Sequence, residues 1–283
     1  MDRGAHRGGG RRGRRGPAGE DRYRERVIDG ARYLTSRQEH ESLTIVVERF
    51  PARRDDPADG DDPVFVLVHG LGVSSRYFRP LAAQLARRGR VFVVDLPGYG
   101  RAPDPRGRVS IADHARVLAG MLVELGLDRP VLVGHSMGAQ VVAMLAAEHP
   151  GVTDRIVLMA PTNEPGRRRF WSATAHLLLD ALREPPRVFA IAVTDYFLRC
   201  GPGYLLRQSG VMLADRIEDR MPGLDAKVLV LCGDRDAIVR APWSRALAGL
   251  APDAAFQEVA GAHVVMHTDP VTVAERIAEH ASR

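Results

Sequence analysis

The sequence is short of lysine, of cysteine and of long apolar runs. Lys227 is the only lysine, and the other basic side chains are arginine, which we interpret as an effect of genome composition. Two cysteines, Cys200 and Cys232, are too few for a disulfide framework and are predicted to be free thiols. No apolar run approaches the ~20 residues that a membrane-spanning helix needs. These absences point away from a disulfide-stapled scaffold and from a membrane-spanning protein.

An apolar segment is also missing behind the basic N-terminus, so no export signal is expected and the protein is predicted to be cytoplasmic. The net charge is +5, and residues 1–16 carry all of it, with six arginines against Asp2. Residues 1–20 have nothing to bury and are predicted to be a disordered, solvated Arg/Gly-rich tail. Contact of this tail with nucleic acid or an anionic membrane is the alternative. The rest of the chain is balanced in charge and gives no reason to expect nucleic-acid binding.

Among the features that are present, the pentapeptide GHSMG at Gly134 to Gly138 matches G-x-S-x-G, the pattern of a nucleophile elbow. The preceding segment, Pro130 to Val133, is apolar like a buried parallel strand, and the following one, Ala139 to Glu148, is helix-like. Glycine is expected on both sides of the serine because the turn is too tight for side chains. Ser136 is therefore a candidate nucleophile.

Strand-like and helix-like segments alternate on both sides of this motif, as a parallel α/β sheet requires. The predicted strands lie at 43–47, 64–68, 91–94, 130–133, 156–159, 228–231 and 255–259, and the predicted helices at 77–88, 110–125, 139–148, 243–250 and from 270 onward. Ser110 and Asp113 predict a capping pair at the start of one helix. Residues 20–40 are mixed in charge and are not assigned, with helix expected for part of them.

The alternation stops at residues 162–222, which are helix-like and broken by prolines. We interpret this segment as an inserted helical cap, so that residues 21–161 and 223–283 form the α/β core. Caps exclude water and shape substrate pockets. Apolar residues in this cap are expected either to pack on the sheet or to line a pocket for a hydrophobic acyl or aromatic group. The candidates for such a pocket are Phe170, Trp171 and Phe189.

A serine nucleophile needs a base, usually a histidine that a carboxylate holds in place. His263 follows the last predicted strand directly and is the candidate base. The carboxylate is expected in the loop after strand 228–231, where Asp236 is favoured and Asp234 is the alternative, more suited to capping the turn. Among the other histidines, His69 is expected to shape its loop and His135 to be a packing residue. His267 is expected to be helical or to lie on the loop after His263.

The same chemistry needs two backbone N–H donors for the developing oxyanion. One is expected from Met137, the residue after the nucleophile. The other is expected from Leu71, in the loop after strand 64–68. Gly70 and Gly72 flank Leu71 and let the backbone approach the substrate closely.

Taken together, these motifs resemble the α/β-hydrolase family over roughly residues 43–283. The matching segments, in the expected order, are HGLG at 69–72, DLPGYG at 95–100, GHSMG at 134–138, GDRD at 233–236 and GAH at 261–263. The resemblance implies an α/β fold with an eight-stranded, mostly parallel sheet, flanking helices, an inserted helical cap, no metal and no organic cofactor. It also implies that the acid follows the seventh strand, which supports Asp236. A serine at the elbow disfavours the haloalkane dehalogenase and epoxide hydrolase branches, which use aspartate there.

Three functions are compatible with these predictions. The first is a carboxylesterase-like serine hydrolase that cleaves a small, hydrophobic carboxylic ester or related acyl compound through an acyl-enzyme. The second uses the same triad for carbon–carbon, lactone or amide hydrolysis, or for cofactor-free perhydrolysis. The third is a non-catalytic protein that binds a small molecule on the same fold.

Overall fold

The computed structural model describes residues 24–28, 31–53, 62–105, 107–166, 194–195 and 200–282. The strands are β1 Arg24–Ile28, β2 Ala31–His40, β3 Leu43–Phe50, β4 Val64–Val68, β5 Arg90–Asp95, β6 Val131–His135, β7 Arg155–Met159, β8 Lys227–Gly233 and β9 Ala254–Val259. The described α-helices are α1 Arg79–Leu85, α2 Ile111–Glu124, α3 Met137–Glu148, α4 Pro202–Ala214, α5 Ala241–Ala248, α6 Val265–Thr268 and α7 Pro270–Ser282. Short 3-10 helices cover Ser75–Phe78, Ile217–Asp219 and Met221–Gly223.

The strands form one sheet in the order β1-β2-β3-β5-β4-β6-β7-β8-β9. The first three strands pair antiparallel, and β3 joins β5 antiparallel. All pairings from β5 through β4 to β9 are parallel. The eight-stranded, mostly parallel sheet that the resemblance implies is therefore present as β2 to β9. The strand β1 extends it by one at the antiparallel edge.

The central strand β4 shows why the sheet is covered on both faces. Its five residues, VFVLV, are all buried. Side chains alternate along a strand, so Val66 faces one hydrophobic core and Phe65 faces the other. The first core lies against α2, α3, α4 and α5, and the second lies against α1, α6 and α7. A continuous apolar run is thus the expected pattern for a strand buried between two helical layers.

The helix α2 begins as the sequence predicts. Ser110 is its N-cap, and its hydroxyl accepts a hydrogen bond from the backbone N–H of Asp113. The Asp113 carboxylate in turn accepts from the Ser110 N–H at 2.8 Å. This reciprocal pair is a capping box, which satisfies N–H groups that have no partner inside the helix.

The expectation of helix within residues 20–40 is wrong. The structure places β1 and β2 there, and β2 pairs with β3 from Leu34 to His40. Alternate positions of β2 are buried, but the buried residues include Ser36 and Gln38, while Arg37 and Glu39 are exposed. Because polar residues occupy the inward positions, the alternation of apolar and polar residues that indicates a strand is missing.

The predicted cap lies between β7 and β8 and is described in part. Its last section is the helix α4, followed by the two 3-10 helices Ile217–Asp219 and Met221–Gly223.

The predicted tail, residues 1–20, lies outside the described residues. In the ranges that the structure does describe, no helix has the length and apolar character needed to cross a membrane.

Candidate active site

Four loops leave the carboxyl ends of parallel strands at one edge of the sheet. From β4 the chain crosses to β5 on one side, whereas β6 lies on the other side of β4. Such a reversal opens a crevice at the strand ends, where ligands of α/β proteins bind. The loops after β4, β6, β8 and β9 carry, in that order, Leu71, Ser136, Asp236 and His263. The sheet therefore gathers these four sequence-predicted site residues at one edge.

Ser136 occupies a strained turn between β6 and α3. Its backbone has φ 56° and ψ −117°, in the half of conformational space that L-residues avoid at a cost of about 1–3 kcal/mol. Its N–H donates to the Met159 carbonyl at 2.9 Å, which ties the turn to β7. A Cβ on Gly134 would lie 2.3 Å from the Gly138 carbonyl oxygen, and one on Gly138 would lie 2.2 Å from that of Val68. Neither glycine can carry a side chain here, which explains the G-x-S-x-G spacing.

His263 and Asp236 form a buried pair. The Nδ1 atom of His263 lies 2.8 Å from Oδ2 of Asp236, whose side chain is fully buried. The other oxygen of Asp236 accepts the backbone N–H groups of Ile238 and Val239, both at 2.8 Å. Since a carboxylate only accepts, Nδ1 of His263 carries the proton of this hydrogen bond, and in the neutral ring Nε2 then keeps a lone pair. Asp236 thus holds His263 in the tautomer that a general base requires.

Asp234 has a different place. Its side chain is half exposed, and its Oδ1 atom accepts the backbone N–H of Gly261 at 2.8 Å. This hydrogen bond lowers the pKa of Asp234, and nearby Arg235 lowers it further. Asp234 therefore ties the loop after β8 to the loop after β9, and Asp236 is the aspartate that contacts His263.

The loop that carries His263 is fastened to the elbow through the residue before Ser136. The Nε2 atom of His135 lies 3.0 Å from the His263 carbonyl oxygen, and the two imidazole rings lie 4.6 Å apart between centroids. Burial lowers the pKa of His135 well below its ordinary value, and the adjacent His263 adds to this. His135 is a neutral link between the two loops, whereas the sequence had predicted only a packing residue.

The loop after β4 approaches Ser136 closely. A Cβ added to Gly70 would lie 3.0 Å from the Cβ of Ser136. Gly72 adopts a φ of 75°, and Leu71 between these two glycines is buried. Met137, the other predicted oxyanion donor, is fully buried at the first position of α3. Met137 therefore directly follows the candidate nucleophile, and Leu71 directly follows Gly70, the residue of this loop that approaches Ser136.

His69 holds this loop to the next one. Its Nε2 atom accepts the Leu96 N–H at 3.0 Å, and its Nδ1 atom lies 2.7 Å from the Gly70 carbonyl oxygen. Burial lowers the pKa of His69 to about 4. Both ring nitrogens are engaged, which agrees with the prediction that His69 shapes its loop and does not transfer protons.

Two residues at the site gave no signal in the sequence. The hydroxyl of Tyr77 lies 2.9 Å from Nδ1 of His135, deep behind the elbow. Asp195, in the predicted cap, is 1% exposed, accepts from the Ser74 hydroxyl at 2.5 Å and pairs with Arg76 at 3.0 Å. A tyrosine or an aspartate inside a helical segment has no local pattern that marks such a role. Only the packing of distant segments reveals it.

The three predicted pocket residues, Phe170, Trp171 and Phe189, lie outside the described residues. Within the described ranges, no group of three or more His, Cys, Asp or Glu side chains is arranged to hold a metal ion. Both cysteines are free and buried, and burial raises the pKa of Cys200 to about 12 and that of Cys232 to about 11.

Comparisons with known proteins agree with the observed fold. The family model of the alpha/beta hydrolase fold matches residues 63–194. The putative carbamate hydrolase RutD of Yersinia enterocolitica is 29% identical over 230 aligned residues, covering 72% of this chain and 82% of that protein. An uncharacterized protein of Mycobacterium tuberculosis is 35% identical over 101 residues, which are 36% of this chain and only 30% of that relative's length.

Solved structures agree on the fold. The enol-lactonase from Burkholderia xenovorans LB400 superposes with a TM-score of 0.74 and 20% identity, covering 87% of this chain and 100% of that one. Sheet topology and elbow define the class, an α/β protein with a serine at a nucleophile elbow. The chain therefore has the alpha/beta hydrolase fold.

Proposed function

We propose that this protein is a serine hydrolase that cleaves a small carboxylic ester, or a related acyl compound, through Ser136, His263 and Asp236. The observation that carries the proposal is the buried 2.8 Å contact between His263 and Asp236. It fixes the histidine tautomer on a loop that is bonded to the elbow of Ser136. A nucleophile, a base and a group that orients the base are the parts that acyl transfer needs.

In the proposed reaction, Nε2 of His263 takes the hydroxyl proton as the Ser136 oxygen attacks the substrate carbonyl. Asp236 stabilises the imidazolium through the hydrogen bond at Nδ1. The C–O bond to the leaving alcohol then breaks, and His263 returns the proton to that alcohol. A water molecule, deprotonated by His263, cleaves the acyl-enzyme and restores Ser136.

The oxyanion that forms during attack is assigned to the backbone N–H groups of Leu71 and Met137. The neighbouring N–H of Gly70 already donates to the Tyr77 hydroxyl at 2.9 Å, so Gly70 is not the donor. Donors fixed in a buried loop are aligned before the charge develops, which is why such groups contribute ~2.7–4 kcal/mol each to transition-state stabilisation.

The substrate class is proposed to be acyl compounds with a hydrophobic acyl or aromatic part. One relative is named a putative carbamate hydrolase and one structural neighbour an enol-lactonase. Carbamates and lactones both have a carbonyl carbon joined to a leaving heteroatom, which is the group that the proposed attack requires. We also propose that Phe170, Trp171 and Phe189 line the pocket for this part of the substrate, because all three are aromatic residues of the predicted cap.

Carbamate hydrolysis is the second candidate function, because the carbamate hydrolase relative matches over 82% of its own length. Here the same attack would break a C–N or C–O bond of a carbamate. A panel that sets matched carbamates beside esters, lactones, diketones and peroxide separates this candidate from the ester hydrolase and from the other reactions of the triad.

The test is turnover of p-nitrophenyl esters from acetate to octanoate by the wild type and by Ser136→Ala. We expect turnover to rise with acyl length until the pocket is filled. The Ser136→Ala variant should lose about 10⁶-fold in kcat, because the triad acts as a unit. Labelling by a fluorophosphonate probe should disappear in the same variant. Full ester turnover and full probe labelling of Ser136→Ala would contradict the assignment. A wild type that neither turns over esters nor is labelled by the probe would favour a non-catalytic binding protein.

A further inference from the structure

A line of buried hydrogen bonds runs behind the elbow and joins three of the loops that form the site. The Gly70 N–H donates to the Tyr77 hydroxyl oxygen at 2.9 Å. That hydroxyl lies 2.9 Å from Nδ1 of His135, and Nε2 of His135 lies 3.0 Å from the His263 carbonyl oxygen. The line therefore connects the oxyanion loop, the elbow and the loop of the candidate base. We call these three hydrogen bonds the relay.

The donors and acceptors fix the direction of the relay. A backbone carbonyl only accepts, so Nε2 of His135 must carry the proton that it donates to His263. Nδ1 of a neutral His135 is then an acceptor, and the Tyr77 hydroxyl donates to it. The hydroxyl oxygen of Tyr77 is left to accept from Gly70. Each member has one arrangement that satisfies all three bonds, and that arrangement needs a neutral His135.

Burial supports this state of the relay. Tyr77 and His135 are each 3% exposed, so water is largely kept from their hydrogen bonds. The depressed pKa of His135 keeps the ring neutral across the ordinary pH range. Unpartnered buried polar groups cost about 1–3 kcal/mol each, so removing one member would leave its neighbours to find new partners.

The backbone of Tyr77 closes a second connection to the same loop. Nδ1 of His267, on α6, lies 3.0 Å from the Tyr77 carbonyl oxygen. The short helix α6 begins two residues after His263. Tyr77 thus holds the segment of the candidate base at two points, through its side chain by way of His135 and through its carbonyl by way of His267.

We propose that Tyr77 and His135 are positioning residues, which hold the oxyanion loop and His263 in the correct positions relative to Ser136. The inference rests on the proposed function for its catalytic meaning. Neither side chain needs to touch the substrate. Their effect is on the place of backbone donors and of the base, where a displacement of about 1 Å can cost 100-fold in rate.

The test compares Tyr77→Phe with Tyr33→Phe as a matched control. Tyr33 is also buried, and its hydroxyl accepts hydrogen bonds from Arg79 and Arg101 at the antiparallel part of the sheet. With a p-nitrophenyl ester varied up to saturation, Tyr77→Phe should lower kcat about 10- to 100-fold and leave KM within about threefold. The reason is that the transition state is affected more than substrate binding. Tyr33→Phe should leave both constants near those of the wild type.

Hydrogen–deuterium exchange of the segments that contain Gly70 and His263 gives a readout that does not depend on catalysis. Exchange there should rise in Tyr77→Phe and stay at the wild-type level in Tyr33→Phe. If the wild type proves inactive on every ester and unlabelled by the probe, the proposed function fails, while exchange still decides whether the relay positions the two loops.

The conservative variants His135→Gln and His135→Asn separate the two halves of the relay and serve if Tyr77→Phe does not fold. Gln can place an amide N–H near the His263 carbonyl, and Asn can place a carbonyl oxygen near the Tyr77 hydroxyl. We expect the segment of Gly70 to exchange faster in His135→Gln and the segment of His263 to exchange faster in His135→Asn. Wild-type kcat and wild-type exchange in the variants would overturn the proposal, as would faster exchange with unchanged kcat.

Discussion

The catalytic edge and the cap stem, by which we mean α4, are built in opposite ways. At the catalytic edge, by which we mean the strand ends that carry the proposed triad, Ser136, Asp236 and His263 lie one to four residues after a parallel strand, so strand ends at the same edge of the sheet bring them together. At the cap stem, side chains reach segments far away in the sequence. Tyr204 donates to the Pro97 carbonyl at 2.7 Å, and Gln208 donates to that of Val109 at 2.9 Å.

Further contacts at the cap stem are of the same kind. Nε2 of His114, on α2, lies 3.2 Å from the Gln208 side-chain oxygen, and Gln140 on α3 donates to the Met212 carbonyl at 3.0 Å. All of these groups are buried. The difference teaches that strand ends set the geometry of the proposed triad, whereas single polar side chains hold the cap stem against the core. Changes at the edge should therefore affect rate, and changes at the stem should affect stability.

The largest expected effect tests the edge. Asp236→Asn should lower kcat by about 10⁴-fold, because an amide cannot hold the histidine in the tautomer that leaves Nε2 as the base. Asp234→Asn is the matched control, since its side-chain oxygen can still accept from Gly261. The measurement is ester turnover, with unfolding in urea to show that both variants are folded. Equal losses in the two variants would contradict the assignment of Asp236.

The second prediction uses acid to compare the two regions. Burial lowers the pKa of both His114, which contacts the stem through Gln208, and His69 at the edge from 6.5 to about 4. Between these values the unfolded chain binds more protons than the folded one, so the free energy of unfolding falls as pH falls from about 6.5 to about 4. Each histidine should contribute roughly 3 kcal/mol to this loss and nothing above the window.

The variant His114→Gln cannot titrate and should flatten the pH dependence of unfolding without lowering ester turnover at neutral pH. His69→Gln should flatten it too, but should also lower turnover, because His69 holds the oxyanion loop to the Leu96 backbone. Urea unfolding across the window measures the first effect. An unchanged pH dependence in both variants would show that neither histidine is kept neutral by the fold.

The smallest expected effect tests the stem alone. Tyr204→Phe removes the hydrogen bond to the Pro97 carbonyl and should lower the free energy of unfolding by about 1 kcal/mol, with more if the carbonyl stays unpartnered. Turnover of the acetate ester should change by less than about twofold. A tenfold fall in kcat with normal stability would break the comparison, because it would place the stem in the catalytic machinery.

Much of the fold was predictable because its signals are local. Val64–Val68 was predicted with its exact bounds from a run of apolar residues, and the capping box of Ser110 and Asp113 from residue types three apart. The strand Ala31–His40 was not, since its inward positions hold Ser36 and Gln38. Its place in the sheet comes from pairing with β3, and pairing is not visible in a single segment.

The site divides in the same way. Glycine spacing around Ser136 predicts the elbow from five residues, whereas the contact that excludes a side chain at Gly138 comes from the Val68 carbonyl of β4. Asp236 and Asp234 stand two residues apart after the same strand, and only the position of His263 shows which of them holds it. Tyr77 carries no local pattern at all, and its role depends on the docking of three loops.

The sequence by itself determined the kinds of group present and their order along the chain, because apolar periodicity and glycine-bearing turns act over a few residues. The tertiary structure decided which groups meet. It brought Asp236 into contact with His263, linked Tyr77 to His135, and packed Tyr204 against the Pro97 loop. These hydrogen bonds join residues that are 27, 58 and 107 positions apart in the chain. They depend on how helices and strand ends pack together, and no local spacing encodes that arrangement.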